Sequence, residues 1–374
     1  MNKIHYILSH PIQYQSPLIR YLVNKGINIK VFYRSSKSIG NYYDSEFKKK
    51  IKWDVDLLSG YRHEFLKFIG PNKTGKFYPI NIEIFKIFKN TEYIWIHGIK
   101  NWYSILILVL NFYYKKKILI REEIQNLNNY RSWFNIILNK IFYKTINKYI
   151  FKFLFIGKAN KDFYVKMGIN PKKLILIPYV VDNDFFKKSK NIKKKGGNIK
   201  ILVASKFLKK KGIDIFINAV QLCNKNKEFK KNVSISIVGD GLEKKNLLKQ
   251  KKENKIANIY FRNFQNQKSL KNFYQKSDIF VMPSRFEPWG LAINEAMASE
   301  NLIIASKHVG SSKDLVKHNY NGFIFNNCND LSKYLLKIYL NKKIIQKFKS
   351  RGLKLIDKWN FDLCYRNLIK IINN

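Results

Sequence analysis

The sequence contains few acidic residues and few cysteines. Asp and Glu make up 25 of the 374 residues, against 71 Lys and Arg, and the formal net charge is +46. The three cysteines, Cys223, Cys328 and Cys364, lie far apart. Their number and spacing exclude a disulfide framework and a cysteine-based zinc site, and they fit a reducing compartment.

Long apolar runs are also missing. The longest run, near Ile105–Leu110, is interrupted by Asn111 and then by Lys115. A helix that spans a membrane needs about 20 apolar residues, so we expect this run to form a buried helix. The first residues, Met1–Tyr6, pass directly into a strand-like segment and lack the pattern of a signal peptide. The sequence therefore predicts a cytoplasmic protein, either soluble or peripheral on the inner face of the plasma membrane.

Arginine is scarce among the basic residues. Only 9 of the 71 are Arg, whereas proteins that read nucleic-acid bases rely on the bidentate guanidinium group. Lys, Asn, Ile, Phe and Tyr are all abundant, which is typical of AT-rich codons and accounts for much of the charge. We therefore expect no nucleic-acid partner. The lysines favour a loose contact with an anionic membrane, to which each contributes about 1 kcal/mol.

The chain is long enough for two domains, and 46% of its residues are hydrophobic, which is sufficient for packed cores. In the first half, short β-branched runs alternate with helical patterns, as is typical of parallel β-α-β units. Strands are predicted at Ile4–Ser9, Ile27–Tyr33, Tyr93–Ile96, Ile118–Ile120, Tyr149–Ile156 and Leu174–Pro178, and helices at Pro17–Asn24 and Tyr103–Tyr114.

The same pattern restarts after a lysine-rich stretch without apolar periodicity. Strands are predicted at Ile199–Ala204, Val233–Val238, Ile279–Met282, Leu302–Ala305 and Phe323–Phe325, and helices at Ile213–Asn224, Leu242–Lys252, Gly290–Ser299 and Leu331–Lys349. The predicted fold class is α/β, with two doubly wound domains joined by a linker. We place the first domain at residues 1–186, a basic linker at 187–198, the second domain at 199–358 and a final helix at 359–374.

The strongest motif follows the predicted strand Ile279–Met282. Two glutamates, Glu287 and Glu295, are separated by seven residues that include Pro-Trp-Gly immediately after the first. Gly290 lets a ligand approach the backbone closely, and the free N–H groups of the following helical turn can bind phosphate or hydroxyl oxygens. Glu295 lies about 7–8 Å along this helix from Gly290. Two carboxylates at this separation can hold the two ends of a nucleotide sugar.

This segment resembles the signature of the GT4-type family of retaining glycosyltransferases, which have the GT-B fold. The similarity continues through Ile304–Ser306, His308–Gly310 and Asn321–Phe323, and backward through Val238–Gly241, so that it covers almost all of residues 199–327. It implies two Rossmann-like domains facing a cleft, with a final helix that crosses back to the first domain. It also implies retention of the anomeric configuration without a metal or another cofactor.

The resemblance implies a role for each matching position of the second domain. Glu287 is expected to bind hydroxyl groups of the transferred sugar, and Glu295 is expected to bind the ribose hydroxyls. The remaining donor-binding positions supply backbone amides or a close turn, and they are Trp289, Gly290, Leu291 and Gly239.

The segment Ala204–Gly212 resembles the diphosphate clamp of the family. It carries Lys206, where the family usually has Arg, and Lys211. The lysine keeps the charge but lacks the fork geometry of Arg. A pair of unit charges about 4 Å apart, at an effective dielectric constant near 20, is worth roughly 4 kcal/mol before desolvation. Two lysines can therefore stabilise a leaving diphosphate in place of a metal ion.

The first domain offers candidates for binding the acceptor or the sugar. His10-Pro-Ile-Gln13 follows the first predicted strand, and together with Tyr42–Asp44 and Trp53–Asp54 it resembles a subgroup of enzymes from surface-polysaccharide clusters. Many relatives place a His after the strand Ile118–Ile120, where this chain has Arg and Glu. The candidates are His10, Gln13, His97, Arg121 and Glu122. Packing of the histidines, and an ion pair that fixes the Arg-Glu loop, are the alternatives.

A metal site is the competing hypothesis for Asp54-Val-Asp56. Transferases of the GT-A type use such an Asp-x-Asp pair to hold a divalent ion. No apolar strand leads into this pair, and the duplicated α/β pattern disagrees with the GT-A fold. We therefore predict no metal site and no cofactor.

The sequence thus predicts a glycosyltransferase that moves a sugar from a UDP- or GDP-linked donor to a glycan or lipid-linked acceptor in bacterial surface-polysaccharide or lipopolysaccharide synthesis. One alternative is a sugar-nucleotide hydrolase or phosphorylase on the same fold, whose sugar release would not depend on an acceptor. The other is a non-catalytic basic protein that binds RNA or a membrane surface. Steeply salt-dependent RNA affinity without nucleotide-sugar binding would favour that alternative.

Overall fold

A computed structural model of the protein describes residues 3–72, 75, 77–125, 133–187 and 197–373. The chain divides into two compact units. Unit 1 comprises Met1–Tyr42, Val55–Val180 and Phe361–Asn374, and unit 2 comprises Tyr43–Asp54 and Val181–Asn360.

Within the described ranges, the strands are β1 (Ile4–Leu8), β2 (Ile29–Tyr33), β3 (Tyr42–Asp44), β4 (Lys49–Ile51), β5 (Arg62–Phe65), β6 (Phe68–Ile69), β7 (Ile80–Asn81), β8 (Tyr93–His97), β9 (Lys117–Arg121), β10 (Lys152–Phe155), β11 (Leu174–Leu176), β12 (Ile199–Ala204), β13 (Val233–Val238), β14 (Ile259–Arg262), β15 (Ile279–Met282), β16 (Leu302–Ser306) and β17 (Gly322–Phe325).

The α-helices in the same ranges are α1 (Ser16–Asn24), α2 (Trp102–Tyr114), α3 (Trp133–Asn147), α4 (Lys158–Lys166), α5 (Asn183–Phe186), α6 (Ile213–Cys223), α7 (Lys227–Asn232), α8 (Lys244–Glu253), α9 (Gln267–Lys276), α10 (Leu291–Ala298), α11 (Ser312–Leu315), α12 (Cys328–Leu340), α13 (Lys343–Ile356) and α14 (Phe361–Ile372). Short 3-10 helices cover Ile84–Phe88, Pro171–Lys173 and Lys209–Lys211.

The main sheet of unit 1 has seven parallel strands in the order β11-β10-β9-β8-β1-β2-β5. Its central strands are buried on both faces, as the side chains of Ile94, Trp95 and Ile96 show, because helices cover both sides of such a sheet. The strand order runs outward in both directions from the β1–β8 pair. The carboxyl ends of these two strands therefore form a topological switch point, where ligands bind in open α/β sheets.

The main sheet of unit 2 has six parallel strands in the order β14-β13-β12-β15-β16-β17. Here the switch point lies between β12 and β15. The core consists of the apolar strand residues together with one face of α6 and α12, including Phe216, Val220 and Leu335. The two parallel sheets flanked by helices confirm the predicted α/β class with two Rossmann-like domains.

Helix α14 packs within unit 1. The side-chain amide of Asn367 donates to the carbonyl oxygen of Leu176 at 2.9 Å, and the hydroxyl of Tyr93 donates to the carbonyl oxygen of Ile371 at 3.3 Å. The structure groups residues 43–54 and 181–186 with unit 2, whereas the sequence places them in the first domain. Most of the predicted linker 187–198 lies outside the described residues.

The structure also corrects several predicted elements. The predicted helix Leu331–Lys349 is two helices, α12 and α13, which are interrupted at Asn341. The sequence did not reveal α3, α9 or β14. The apolar run Ile105–Leu110 does form a helix, α2, but this helix is only half buried: Ile107 and Leu108 lie in the core, whereas Ile105 and Val109 are exposed. Within the described ranges, no helix has the length and apolar character needed to cross a membrane.

Candidate functional site

The loop between β12 and α6 carries the lysines predicted to bind diphosphate, and it begins at the switch point of unit 2. The Nζ atom of Lys206 lies 2.7 Å from Oε2 of Glu46 and 3.1 Å from Oδ2 of Asp44. The Nζ atom of Lys210 lies 3.3 Å from Oε1 of Glu46. Lys206, the lysine predicted to bind diphosphate, is therefore paired with two carboxylates from a distant part of the sequence.

These carboxylates belong to residues 43–54, which contain most of the two-stranded β3–β4 sheet and are called the docked hairpin below. The rings of Phe47 and Phe264 meet edge to face at 4.7 Å. The carboxylate of Asp54 accepts the backbone N–H groups of Gln267 at 3.2 Å and Lys268 at 3.0 Å, at the start of α9. The docked hairpin is thus held in unit 2 by apolar and capping contacts as well as by its ion pairs.

Lys211 and Glu287 form an ion pair across the switch point. Lys211 ends the loop after β12, and Glu287 lies in the loop after β15. The side chains are 15% and 14% exposed, so water screens the pair only in part. The N–H of Glu287 donates to the carbonyl oxygen of His308 at 3.1 Å, and the N–H of Gly310 donates to the carbonyl oxygen of Glu287 at 3.0 Å. Neighbouring loops therefore fix the position of this carboxylate.

Gly290 precedes the first turn of α10 and has a backbone φ of +94°. A Cβ atom at this position would lie 2.8 Å from Sδ of Met282 and 3.1 Å from Cγ of Glu287. Only glycine fits both the left-handed conformation and this space. The loop consequently brings Glu287 close to the amino-terminal end of α10, which begins with the partly exposed Leu291.

Trp289 is almost completely buried. Its indole N–H donates to Oδ1 of Asn294 at 3.0 Å, and its ring stacks on Trp359 with centroids 5.7 Å apart. Since its side chain is engaged inside unit 2, the feature of Trp289 suited to ligand contact is its backbone. The use of main-chain amides of this loop for ligand contact stays a prediction.

Glu295 is partly buried on α10, and its Oε2 atom accepts the hydroxyl hydrogen of Tyr274 at 2.8 Å. Burial raises the pKa of Glu295 to about 7, although the hydrogen bond from Tyr274 acts in the opposite direction. The carboxyl group is therefore close to half protonated near neutral pH. A ligand that donates hydroxyl hydrogens to it favours the charged form.

Gly239 follows β13 and has a φ of +151°. A Cβ atom here would collide with the carbonyl oxygen of Ser205 and would lie 2.8 Å from the ring of Phe207. The glycine is thus required for close contact between the loops after β12 and β13, and it shapes the surroundings of Lys206.

In unit 1, polar side chains meet near the carboxyl ends of β1, β8 and β9. Oε1 of Glu123 accepts the hydroxyl hydrogens of Tyr179 at 2.6 Å and Tyr14 at 2.8 Å. The Tyr179 hydroxyl also lies 3.1 Å from Nε2 of His97, and Nδ1 of His97 lies 3.4 Å from the hydroxyl of Tyr6. These five side chains, called the tyrosine–glutamate cluster, form a continuous hydrogen-bonded chain.

The histidines of this region are neutral at physiological pH. Burial, followed by the nearby charges of Arg121 and His10, lowers the pKa of His97 to about 3. Burial and the charge of Lys37 lower the pKa of His10 to about 4, and Nδ1 of His10 lies 2.8 Å from the hydroxyl oxygen of Ser9. Both rings can therefore act as neutral hydrogen-bonding groups. Gln13 lies in the same loop and is partly exposed.

Arg121 and Glu122 lie in the interior of unit 1. The guanidinium group of Arg121 donates to the carbonyl oxygen of Pro178 at 2.7 Å and to Oε1 of Gln15 at 3.4 Å. Oε1 of Glu122 accepts hydroxyl hydrogens from Tyr143 at 3.0 Å and Tyr164 at 3.2 Å, and burial raises its pKa despite these bonds. With 1% and 5% of their surfaces exposed, both residues are buried. The guanidinium group of Arg121 lies 4.4 Å from the ring centroid of Tyr179, a member of the cluster. Direct contact with an acceptor remains a prediction for Arg121 and Glu122.

Glu123 is the exposed carboxylate of this segment, and the sequence did not single it out. Its side chain is 40% exposed, whereas that of Glu122 points into the core. The one available signal in the sequence is that Glu122 and Glu123 are adjacent after a strand, so that only one of the two side chains is expected to face solvent. The two tyrosines that position Glu123 are too distant in sequence to have revealed it.

The carboxylates of Asp54 and Asp56, the Asp-x-Asp pair considered as a metal site, bond to different parts of the backbone. Asp54 caps α9 in unit 2, whereas Asp56 in unit 1 accepts the N–H groups of Leu58 at 3.0 Å and Ser59 at 3.1 Å. Hydrogen bonds from the side chain and backbone of Ser59 lower the pKa of Asp56 to about 2. In the part of the chain that the structure describes, no group of three His, Cys, Asp or Glu residues could hold a metal ion.

Comparisons with known proteins relate the second unit to one family. Residues 184–355 match the family model described as "Glycosyl transferases group 1". An uncharacterized glycosyltransferase of Methanocaldococcus jannaschii is 26% identical over 172 residues, which are 46% of each chain. The O-antigen biosynthesis glycosyltransferase WclY of Escherichia coli is 33% identical over 149 residues, which are 38% of this chain and 40% of WclY. The matched part thus spans less than half the length of these relatives.

The fold is similar to that of a protein of known structure over the whole chain. The crystal structure of Anabaena Alr3699/HepE, solved in complex with UDP and glucose, superposes with a TM-score of 0.75 at 14% identity and covers 100% of both chains. The chain therefore has the GT-B fold, and its residues 184–355 match the group 1 glycosyl transferases.

Proposed function

We propose that the protein is a retaining, metal-independent glycosyltransferase that moves a sugar from a nucleotide-sugar donor to a glycan or lipid-linked acceptor. In this proposal unit 2 binds the donor and unit 1 binds the acceptor. The observation that carries it is the Lys211–Glu287 ion pair at the switch point of unit 2, beside the glycine that precedes α10. This arrangement provides a cation for a phosphate and a carboxylate for sugar hydroxyls within one group of loops.

The cations of the β12–α6 loop act on the leaving group. When the bond between the sugar and the phosphate breaks, the diphosphate gains negative charge. Each lysine about 4 Å from that charge contributes roughly 4 kcal/mol before desolvation, at an effective dielectric constant near 20. Lys206 and Lys211 thus supply the stabilisation that a metal ion supplies elsewhere.

The two glutamates hold the neutral parts of the donor. Glu287 accepts hydrogen bonds from the transferred sugar, while Glu295 accepts them from the ribose. Binding of the ribose favours the charged carboxylate of Glu295, whose pKa is about 7 in the free protein. Donor binding is therefore accompanied by proton release near neutral pH.

The donor is a UDP- or GDP-linked sugar. The bound UDP of the Anabaena structure supports UDP, and the O-antigen role in the name of the E. coli relative supports an acceptor from surface-polysaccharide or lipopolysaccharide synthesis. We place the protein in the cytoplasm, with peripheral contact with the inner face of the plasma membrane.

Unit 1 holds the acceptor near the carboxyl ends of β1 and β8. His10, Gln13 and His97 remain candidates for contact, and Glu123 joins them as an exposed carboxylate with two fixed phenol donors. No carboxylate is assigned as a covalent nucleophile. The leaving phosphate oxygen accepts the proton of the acceptor hydroxyl on the face from which the diphosphate departs, so the anomeric configuration is retained.

A panel of nucleotide sugars, screened by thermal shift, tests the proposal. A donor at about 100 times its dissociation constant stabilises the protein by about 2.7 kcal/mol. We expect one nucleotide class to give this shift, with Lys211→Ala and Glu287→Ala variants that fold but lose transfer. Lys245→Ala on α8 is the matched control, since this lysine is exposed and lies outside the loops of the site.

Three results would contradict parts of the proposal. Transfer at the wild-type rate in both site variants would exclude the assigned site. Sugar release that is independent of any acceptor would identify a hydrolase. Loss of transfer in EDTA, restored by a divalent ion, would exclude the metal-independent mechanism.

A further inference from the structure

Helices α2 and α3 of unit 1 expose an unusual number of large apolar side chains. Tyr113 is 83% exposed and Trp133 is 73% exposed. The full set consists of Ile105, Val109, Phe112 and Tyr113 on α2, and of Trp133, Phe134, Ile137, Leu138 and Ile141 on α3. Single exposed apolar residues are ordinary on protein surfaces, but a contiguous group indicates an interaction site.

On each helix these side chains share one face. In α3 they occupy positions i, i+1, i+4, i+5 and i+8, an arc of about 140° at 3.6 residues per turn. The opposite side of α3 carries the buried Tyr143 and Ile146, which pack into the core of unit 1. In α2 they occupy positions i, i+4, i+7 and i+8, an arc of about 100°. Both helices therefore have one apolar side in the core and another that faces outward.

The two outward faces belong to neighbouring helices. Helix α2 connects β8 to β9 and α3 connects β9 to β10, and these strands are consecutive in the sheet. Two right-handed crossovers in the same direction place both helices on the same side of the sheet. The ring of Phe112 on α2 lies 4.7 Å from the ring of Tyr149, which follows the end of α3. Lys100, which precedes the start of α2, donates to Asn139 on α3. The exposed residues of α2 and α3 thus form one surface, called the α2–α3 face.

The charge around the α2–α3 face has a single sign. The sequence contains no Asp or Glu from Gly98 to Ile120 or from Ile124 to Lys161. Lys140 and Lys144 are exposed on α3, and Lys115 is exposed at the end of α2. Two copies of such a face would repel each other, which disfavours a homodimer. Anionic lipid headgroups complement the lysines, and the acyl region beneath them accommodates the apolar side chains.

We propose that the α2–α3 face docks unit 1 on an anionic lipid bilayer. The helices lie in the plane of the interface, with Trp133, Ile137 and Ile141 inserted among the lipids and the lysines at headgroup level. This inference deepens the proposed function, because it would hold the acceptor-binding unit at the surface where a lipid-linked acceptor resides. The docking itself does not depend on catalysis.

Vesicle co-sedimentation of the full chain tests the inference. We expect binding to vesicles that contain phosphatidylglycerol and weak binding to phosphatidylcholine alone. Combined Trp133→Ser, Ile137→Ser and Ile141→Ser substitutions should lower the affinity for anionic vesicles by about tenfold or more. The matched control replaces three exposed leucines of unit 2, Leu242, Leu248 and Leu340, with Ser and should bind like the wild type.

A second pair of variants separates local charge from the high net charge of the chain. Lys140→Glu combined with Lys144→Glu should weaken vesicle binding, whereas Lys245→Glu combined with Lys252→Glu on α8 has the same net charge and should bind like the wild type. Equal weakening in both pairs would overturn the inference, because the attraction would then be diffuse.

Two other outcomes would also overturn it. One is vesicle binding by the Ser variant on α3 that is as tight as that of the wild type. The other is a wild-type dimer that this variant abolishes, which would assign the face to a second copy. Thermal shift with a nucleotide sugar, measured on the same variants, distinguishes the two proposals. Vesicle binding that persists without any donor binding would contradict the proposed activity and leave the docking face intact.

Discussion

The ion pairs between the docked hairpin and the β12–α6 loop lead to a specific prediction about donor binding. Asp44 and Glu46 present carboxylate oxygens to Lys206 and Lys210 at distances of 2.7–3.3 Å. Burial raises the pKa of Glu46, but the hydrogen bonds and charges of the two lysines outweigh burial and leave the pKa below its ordinary value. The two carboxylates therefore compete with any diphosphate for Lys206.

The size of this competition follows from the exposure of the groups. The side chains of Lys206 and Glu46 are 28% and 44% exposed, so each pair contributes only about 0.2–1 kcal/mol. Neutralising both carboxylates removes the two pairs with Lys206 and should therefore remove about 0.4–2 kcal/mol of competing interaction. Since about 1.4 kcal/mol corresponds to a tenfold change in affinity, the combined Asp44→Asn and Glu46→Gln variant should bind diphosphate about 2–30-fold more tightly.

Isothermal titration with inorganic pyrophosphate and with UDP measures this change. Pyrophosphate isolates the contact with the lysines from recognition of the nucleoside. Glu253→Gln is the matched control, since Glu253 is an exposed partner of Lys249 on α8. Adding Lys206→Ala to the hairpin variant should abolish most of the gain, because the cation released by the substitutions is then absent.

Unchanged or weaker pyrophosphate binding in the hairpin variant would refute this reasoning. The carboxylates would then position Lys206 for the ligand instead of competing for it. The apolar contact between Phe47 and Phe264 and the capping by Asp54 are preserved in this variant. A change in affinity can therefore be assigned to the charges.

Three further predictions concern other parts of the site. Folding raises the pKa of Glu295 from 4.5 to about 7. Between these two pH values the folded state keeps a proton that the unfolded state loses. The free energy of unfolding of the wild type should therefore fall by about 1–3 kcal/mol as the pH rises from 4.5 to about 7. Urea unfolding of Glu295→Gln should show no such fall. Gly239→Ala should lose about 2–4 kcal/mol of stability in the same assay, since its Cβ collides with Ser205. Glu123→Gln should raise the KM for the acceptor and leave donor affinity unchanged.

Each of these predictions has a clear contrary result. A pH-dependent fall of equal size in Glu295→Gln would show that another group causes it. Wild-type stability of Gly239→Ala would mean that the loops after β12 and β13 can move apart without cost. Weaker donor binding in Glu123→Gln, with an unchanged acceptor KM, would remove this residue from the acceptor site.

Local patterns predicted most of the parallel strands. Runs such as Ile199–Ala204 and Val233–Val238 are short, β-branched and bounded by turns, and strands buried on both faces have this composition. The spacing of Glu287 and Glu295 placed one residue in a loop and the other on α10, as the structure has them. Helix α3 was not predicted, because apolar residues occur on both its buried and its exposed side and so obscure the apolar period of 3.6 residues.

Long-range contacts account for what the sequence did not reveal. The docked hairpin joins unit 2 through ion pairs and ring contacts between residues that are 160 or more positions apart. No periodicity encodes such pairs. Similarly, the placement of Glu122 inside and Glu123 outside depends on tyrosines from α3 and α4 and on Tyr179. Only the folded chain brings these residues together.

A crystal structure with bound UDP would test the central claim most directly. The account predicts that the diphosphate lies within hydrogen-bonding distance of Lys206 and Lys211, that the ribose hydroxyls contact Glu295, and that the Asp44 and Glu46 carboxylates have withdrawn from Lys206. UDP bound away from the β12–α6 loop, with the Lys206 and Lys211 ion pairs intact, would contradict it.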